Sequence, residues 1–270
     1  MNAIPFLPTL ASEHGVQVDR LLLMMHLLML GLFVVWFIYF TVVLIRFRRS
    51  KNPHANPKGA KTKASYYLEV GVVVIEVGLL LGFAVPFWTR QVAAQSAPPE
   101  NALHVRIVAQ QYAWNVHYPG EDGVFGAMKP ELVDNTSNPL GLDFTDEAAK
   151  DDIFKLNELF LPLNRPVVID LSSRDVIHSL NLPEFRVKQD AIPGVPSRVI
   201  FTPTMTTEQF RVVKNSTTRN FEIACAQLCG LGHYRMVGYV TVLEEPAFQE
   251  WLVQNKPDPA ASEGFDPLFN

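Results

Sequence analysis

Two long apolar runs open the chain, and short alternating runs fill the rest. Residues 21–45, LLLMMHLLMLGLFVVWFIYFTVVLI, are almost wholly apolar. At about 1.5 Å per residue such a run crosses a bilayer core, so it predicts a membrane helix over about 20–45. It is too long for a secretion-signal core and has no basic start or cleavage site, so it is expected to be retained. A second run, YYLEVGVVVIEVGLLLGFAVPFW, predicts a helix over about 66–89. Its Glu69 and Glu76 share nearly one face, and ionised carboxylates facing lipid are costly. That face is expected to meet a protein partner or water. Glu69 is a candidate for proton uptake near the helix start, and Glu76 is a candidate for a protonated or hydrogen-bonded contact. A satisfied interhelical contact is the plainer alternative for each, and His26 is read as a packing residue.

Between the runs, residues 46–64 carry seven Lys/Arg and no acid. A short basic loop is expected on the cytoplasmic side, which puts both ends of the chain on the other side. The expected organisation is an exported segment 1–19, a transmembrane hairpin 20–90, an Ala/Pro-rich linker 91–101, a domain 102–245 and a tail 246–270. The tail is read as a short amphipathic piece followed by a loosely ordered end. Within the domain, HVRIVAQQYAWNVHYPG, RPVVIDLSS, SRVIFTPT, EQFRVVKN and YRMVGYVTVLEE alternate bulky and polar positions, with Pro and Gly between the runs. They predict strands of an antiparallel sandwich or barrel. Residues 120–164 break the rhythm and are read as a surface excursion with one short helix.

Charge divides along the same boundary. Residues 1–90 hold nine Lys/Arg and four Asp/Glu, and residues 91–270 hold fourteen and twenty-three, a net of 14 − 23 = −9. The exported part is thus a poor partner for nucleic acid and suits a basic protein. Five acids between Asp143 and Asp152 are candidates for docking it, with ordinary solvation or a helix start as alternatives.

The chain's two cysteines both lie in CAQLCGLGHYRM, residues 225–236. Cys225, Cys229, His233 and Met236, with His178 upstream in DVIHSLNLP, are a dense set of soft and borderline metal ligands. Thiolates and thioether favour copper, and the methionine argues against structural zinc. No glutamate within the stretch offers a hydrolytic base, so electron transfer fits better than hydrolysis. Two thiolates four residues apart suit a bridged pair of coppers, although a disulfide remains open for an exported domain. Gly230 and Gly232 supply the backbone freedom that a metal-wrapping loop needs.

Two longer stretches, DVIHSLNLPEFRVKQDAIPG (175–194) and FEIACAQLCGLGHYRMVG (221–238), resemble subunit II of the haem–copper cytochrome c oxidases. The resemblance implies a two-helix transmembrane hairpin followed by an all-β cupredoxin-like domain (a Greek-key sandwich or barrel) with a binuclear copper centre, Cu(A). Cys225 and Cys229 would bridge the coppers. His178 and Met236 would complete one, and His233 with the Gln227 backbone carbonyl the other. The family takes electrons from cytochrome c and passes them to haem in subunit I, where oxygen is reduced and protons are translocated. Subunit III is a further expected partner, and Glu69 would be a proton-uptake carboxylate. The location implied is a bacterial-type inner membrane with the domain on the periplasmic face. Two departures matter. Where many members place Glu between the cysteines this chain has Gln227, whose lack of charge argues against a tightly held magnesium or manganese ion at the subunit I interface. In QQYAWNVHYPG, Tyr112 falls where the family's electron-receiving tryptophan stands, with Trp114 the second candidate. No CxxCH haem motif is present, so the donor is expected to be a separate protein. The alternatives are a relative of the copper-lacking quinol oxidase subunit II and a membrane-tethered copper-binding protein.

Overall fold

The computed structural model describes residues 7–54 and 63–257. Part of the basic loop, the first residues and the end of the tail lie outside the described residues. The long helices and the strand-rich domain form two compact units.

The first apolar run forms helix α1, Gly15–Arg46. The second forms α2, Lys63–Leu79, and α3, Val85–Ser96, joined by one π-helical turn, Leu80–Ala84. There the Val85 N–H donates to the Leu80 carbonyl five residues back. Pro86 follows and has no N–H to give, so the ladder widens just before it and resumes. Both spans expose large apolar side chains all round, among them Trp36, Phe37, Ile75 and Leu81. In water that surface would drive association, whereas a lipid environment satisfies it. Helix α3 continues to Ser96, so the first half of the expected linker is helical.

The domain after the helices is a sandwich of two five-stranded sheets. One has β1 (Leu103–Gln110) between β2 (Ala113–Tyr118) and β5 (Val167–Ser173), with β3 (Ile153–Leu156) and β8 (Ser197–Phe201) at its edges. The other runs β4 (Glu158–Pro162), β10 (Val237–Leu243), β9 (Phe221–Cys225), β6 (His178–Leu182), β7 (Val187–Ala191). Most pairs are antiparallel, while β1 with β5 and β10 with β4 are parallel. Alternate residues turn inward, so Trp114, Val116 and Tyr118 of β2 meet Leu180, Phe221 and Val240 of the facing sheet in one core.

Two expectations are corrected. EQFRVVKN is not a strand but lies largely in helix α4, Thr207–Val213. Thr206 and Gln209 form a reciprocal capping box that satisfies the first backbone donors, and Thr207 and Phe210 are buried against the sandwich. The 120–164 excursion contributes a strand to each sheet, β3 and β4. The chain passes between them at Asn157, whose φ of 60° is the left-handed turn that asparagine tolerates. The preceding residues fold back over the outer face of β1, where Leu140 and Leu142 pack on Val108 and Phe154. The tail begins with α5, Glu245–Gln254, which buries Phe248 and stacks Trp251 on Phe160 at 4.4 Å.

The acids between Asp143 and Asp152 are mostly spent inside this cover. Asp143 pairs with Lys129 at 2.6 Å. Asp146 accepts the Ala127 N–H, Asp151 accepts the Glu121 N–H, and buried Asp152 accepts the Gly126 N–H and lies 2.6 Å from His117 Nε2. Backbone donors that strands would have paired are satisfied by carboxylates, which explains the acid density without a docking partner.

The segment before α1 is part of the sandwich. Ala11 N–H donates to the Glu184 carbonyl, Thr204 N–H to Ala11, Glu13 N–H to Thr202, and the Ser12 hydroxyl to the Phe185 carbonyl at 2.6 Å. Gly15 passes so close that a Cβ there would fall 2.3 Å from Leu10.

Candidate metal centre

His178 opens β6, Cys225 closes β9, and Met236 precedes β10, so adjacent strands hold the ends of the loop that carries the rest. Leu180 pairs with Cys225, and the Ala226 N–H donates to the Ser179 carbonyl at 3.0 Å. The Cys225 N–H faces the Met236 carbonyl at 3.4 Å, which closes the loop at its base. Within it, His233, Arg235 and Met236 donate backbone N–H groups to Gly230, Gly232 and His233 in tight turns.

The two sulfurs lie 3.8 Å apart as free thiols, far from the roughly 2.05 Å of a disulfide. His178 Nδ1 lies 3.9 Å and the Gln227 carbonyl oxygen 3.2 Å from Cys225 Sγ. His233 Nδ1 lies 3.6 Å and Met236 Sδ 3.8 Å from Cys229 Sγ. The ligating atoms of His178, Cys225 and Cys229 fall within 4.8 Å of one another. His178, Met236 and Cys229 are buried, while Cys225 and His233 are half-buried and Gln227 is exposed.

Burial, then the adjacent Cys225, pushes the Cys229 thiol up to about 11. Two thiolates this close would call for a positive charge between them, of the kind a soft metal would supply. Asp175 Oδ1 lies 2.8 Å from His178 Nε2, which leaves Nδ1 for the sulfurs. Carboxylate–imidazole pairs of this kind orient histidine ligands. Burial pushes Asp175 up, but donors from Gln111, His178 and Val176 outweigh it and hold the carboxyl below its ordinary value.

Tyr112, in the β1–β2 turn, lies across the loop. A Cβ on Gly232 would meet its ring at 2.5 Å, and one on Gly230, at φ 128°, would meet its hydroxyl at 2.7 Å. Only glycine permits that approach. Arg235 sits over the same ring at 5.6 Å. Trp114, the second electron-receiving candidate, is fully buried and packs edge-on to His178 with ring centres 6.3 Å apart. Strand alternation turns it into the core, where a surface donor has no access. Leu228, Leu231 and Tyr234 are 80–96% exposed on the loop's outer side. Glu69 lies on α2 in the other unit, exposed. Sequence reasoning did not single out Gln111 or Asp175 for a role; the available signal was a carboxylate three residues before a ligand-type histidine.

Residues 103–242 match the family described as cytochrome c oxidase subunit II, periplasmic domain. The chain is 32% identical over 224 residues to the alternative cytochrome c oxidase subunit 2 of Bradyrhizobium diazoefficiens, covering 83% of this chain and 74% of that one. It is 27% identical over 231 residues to cytochrome c oxidase subunit 2 of Cereibacter sphaeroides, covering 83% and 70%. The crystal structure of the periplasmic domain of subunit II of cytochrome oxidase of Bradyrhizobium japonicum aligns at 27% identity with a TM-score of 0.39, covering 58% of this chain and 95% of that one. With two apolar helices, a β-sandwich and this match over its length, the chain belongs to the cytochrome c oxidase subunit II family.

Proposed function

We propose that this chain is the electron-accepting subunit of a membrane cytochrome c oxidase and holds a binuclear Cu(A) centre. The observation that carries the reading is the convergence of two thiols, two imidazoles, a thioether and a backbone carbonyl on one loop base. Cys225 and Cys229 would bridge, His178 and Met236 would serve one copper, and His233 with the Gln227 carbonyl the other. His178 and the Gln227 carbonyl lie beside Cys225, and His233 and Met236 beside Cys229, so each copper would take one outer donor from either side, which suits shared thiolates. When bound, the copper pair supplies a one-electron store spread over two metals.

The chain's own residues do the rest. Asp175 holds the His178 ring, and the sandwich keeps Met236 and Cys229 from water. Tyr112 offers a half-buried aromatic face between solvent and the loop, where a cytochrome c donor would deliver its electron. Exposed Leu228, Leu231 and Tyr234 give an apolar rim for partner contact. Subunit I would take the electron onward to haem for oxygen reduction coupled to proton translocation, with subunit III completing the complex. Glu69 would offer protons to subunit I from the basic-loop side. The neutral Gln227 side chain speaks against a tight magnesium or manganese site there.

Residues 11–13 hydrogen-bond to the sandwich just before α1, which supports placing both on one side of the membrane. With the basic loop opposite, that side is the periplasmic face of a bacterial-type inner membrane. The test is copper content and electron paramagnetic resonance of the full-length chain in detergent, because residues 11–14 belong to the fold. Two coppers per chain sharing one unpaired electron, with hyperfine coupling to both nuclei, are expected. A single isolated copper, or none in a folded chain with reduced thiols, would sink the reading.

A further inference from the structure

The turn that carries Tyr112 is tied to both halves of the ligand set by one residue. The Gln111 backbone N–H donates to Asp175 Oδ2 at 2.6 Å, and the other oxygen of that carboxylate faces His178 Nε2. The Gln111 side chain turns the opposite way, and its Nε2 donates to the Cys229 carbonyl at 2.6 Å. Gln111 thereby links a carboxylate that orients one imidazole to the backbone of a thiol ligand. Tyr112 follows directly, its ring against Gly232 and its hydroxyl against Gly230 at distances that leave no room for a side chain.

A glutamine donor used this way is unusual for an exposed position, where its amide would otherwise be satisfied by water. We propose that Gln111 is a positioning residue that sets the spacing between the Tyr112 ring and the Cys229 thiolate, and so the rate at which an electron reaches the metal site. The inference rests on the copper reading above. Gln111 touches neither the metal nor the donor in this scheme. It acts through the Cys229 carbonyl on one side and through Asp175 on the other, and Tyr112 is what it places. The redox step itself is unchanged: the donor's ferrous haem becomes ferric, and the copper pair gains that one electron.

The experiment uses the full-length, copper-loaded chain with ferrocytochrome c as the probe, followed by stopped flow at saturating donor. Gln111→Met removes the side-chain donor at similar length, and Gln111→Glu does so while keeping the shape. Both are expected to slow electron arrival about tenfold, the usual scale for groups that orient ligands from behind. Copper content, the two-copper resonance signal and the melting temperature are expected to stay at wild-type values. Tyr112→Leu slows the reaction by itself, and adding Gln111→Met to it is expected to cost nothing more, because the two act as one unit. Equal slowing by Gln111→Met in both backgrounds overturns the proposal, since it would then act independently of Tyr112. So does an unchanged rate, or loss of copper or of its signal in both Gln111 variants. A wild-type chain without the two-copper signal instead overturns the reading beneath it, and the proposal falls with that reading.

Discussion

Asn157 is the point where the chain leaves one sheet for the other, and the sandwich depends on its shape. Its φ of 60° lies in the left-handed region, and its side-chain oxygen accepts the Trp114 N–H at 2.8 Å. Its own N–H donates to the Trp114 carbonyl, and its carbonyl accepts the Tyr239 N–H, both at 2.8 Å. Asn157→Ala keeps the backbone bonds but faces two costs. The left-handed conformation costs a Cβ-bearing residue roughly 1–2 kcal/mol. The Trp114 N–H left without its acceptor costs about 1–3 kcal/mol. Together they come to about 2–5 kcal/mol, a large share of a domain's usual stability of about 5–15 kcal/mol. Asn157→Asp keeps an acceptor and tolerates the turn, so it should cost under about 1 kcal/mol. Asn157→Gly fits the turn but leaves the N–H unpaired, so it should fall between. Guanidinium unfolding of the full chain, followed by tryptophan fluorescence, to which buried Trp114 contributes, measures all three. Asp as damaging as Ala, or Ala within about 1 kcal/mol of wild type, would refute the reasoning. Because Trp114 packs on His178, the Ala variant should also bind copper less tightly.

Other substitutions probe the loop and the N-terminal segment. Gly232→Ala places a Cβ 2.5 Å from the Tyr112 ring, an overpacking that usually costs about 1–3 kcal/mol. It should broaden or shift the copper resonance signal, and an unchanged spectrum with an unchanged melting temperature would count against the close packing. Burial holds His14 below its ordinary 6.5, so the unfolded chain binds a proton that the folded chain refuses. Stability should therefore fall as pH drops from about 6.5 through the lowered value, and His14→Leu should flatten that slope. Glu184, raised above 4.5 by burial, has the opposite sign: the stability it contributes below 4.5 fades as pH rises through its raised value. It cancels in the comparison of His14→Leu with wild type, and an unflattened slope would exclude His14. Gln227→Glu restores a carboxylate and should tighten manganese binding in the assembled oxidase; unchanged affinity in a manganese titration would leave Gln227 without a role there.

The sequence by itself determined the two long apolar runs, the strand-rich domain and the ligand-type residues. Each of these is written in local periodicity or in rare residues at close spacing: a long, largely apolar run forms a helix long enough to cross a bilayer, and Cys, His and Met within one loop cannot be far apart. Tertiary structure decided the remainder, because it joins positions distant in the chain. EQFRVVKN alternates like a strand, yet the Thr206–Gln209 cap and the space for Phe210 between sheets make it helical. The irregular excursion hides β3 and β4, each only four or five residues long and meaningful only beside β2 and β10. Of the acids named as docking candidates, Asp146, Asp151 and Asp152 accept backbone N–H groups across the cover. Trp114 and Tyr112 are two residues apart and alike on paper, but strand alternation buries one against His178 and the turn leaves the other against the metal loop. Gln111 carries no signal of its own, and Asp175 only its place three residues before His178: their linkage arises only where the β1–β2 turn meets the loop before β6, and hydrogen bonds between such segments are visible only in the folded chain.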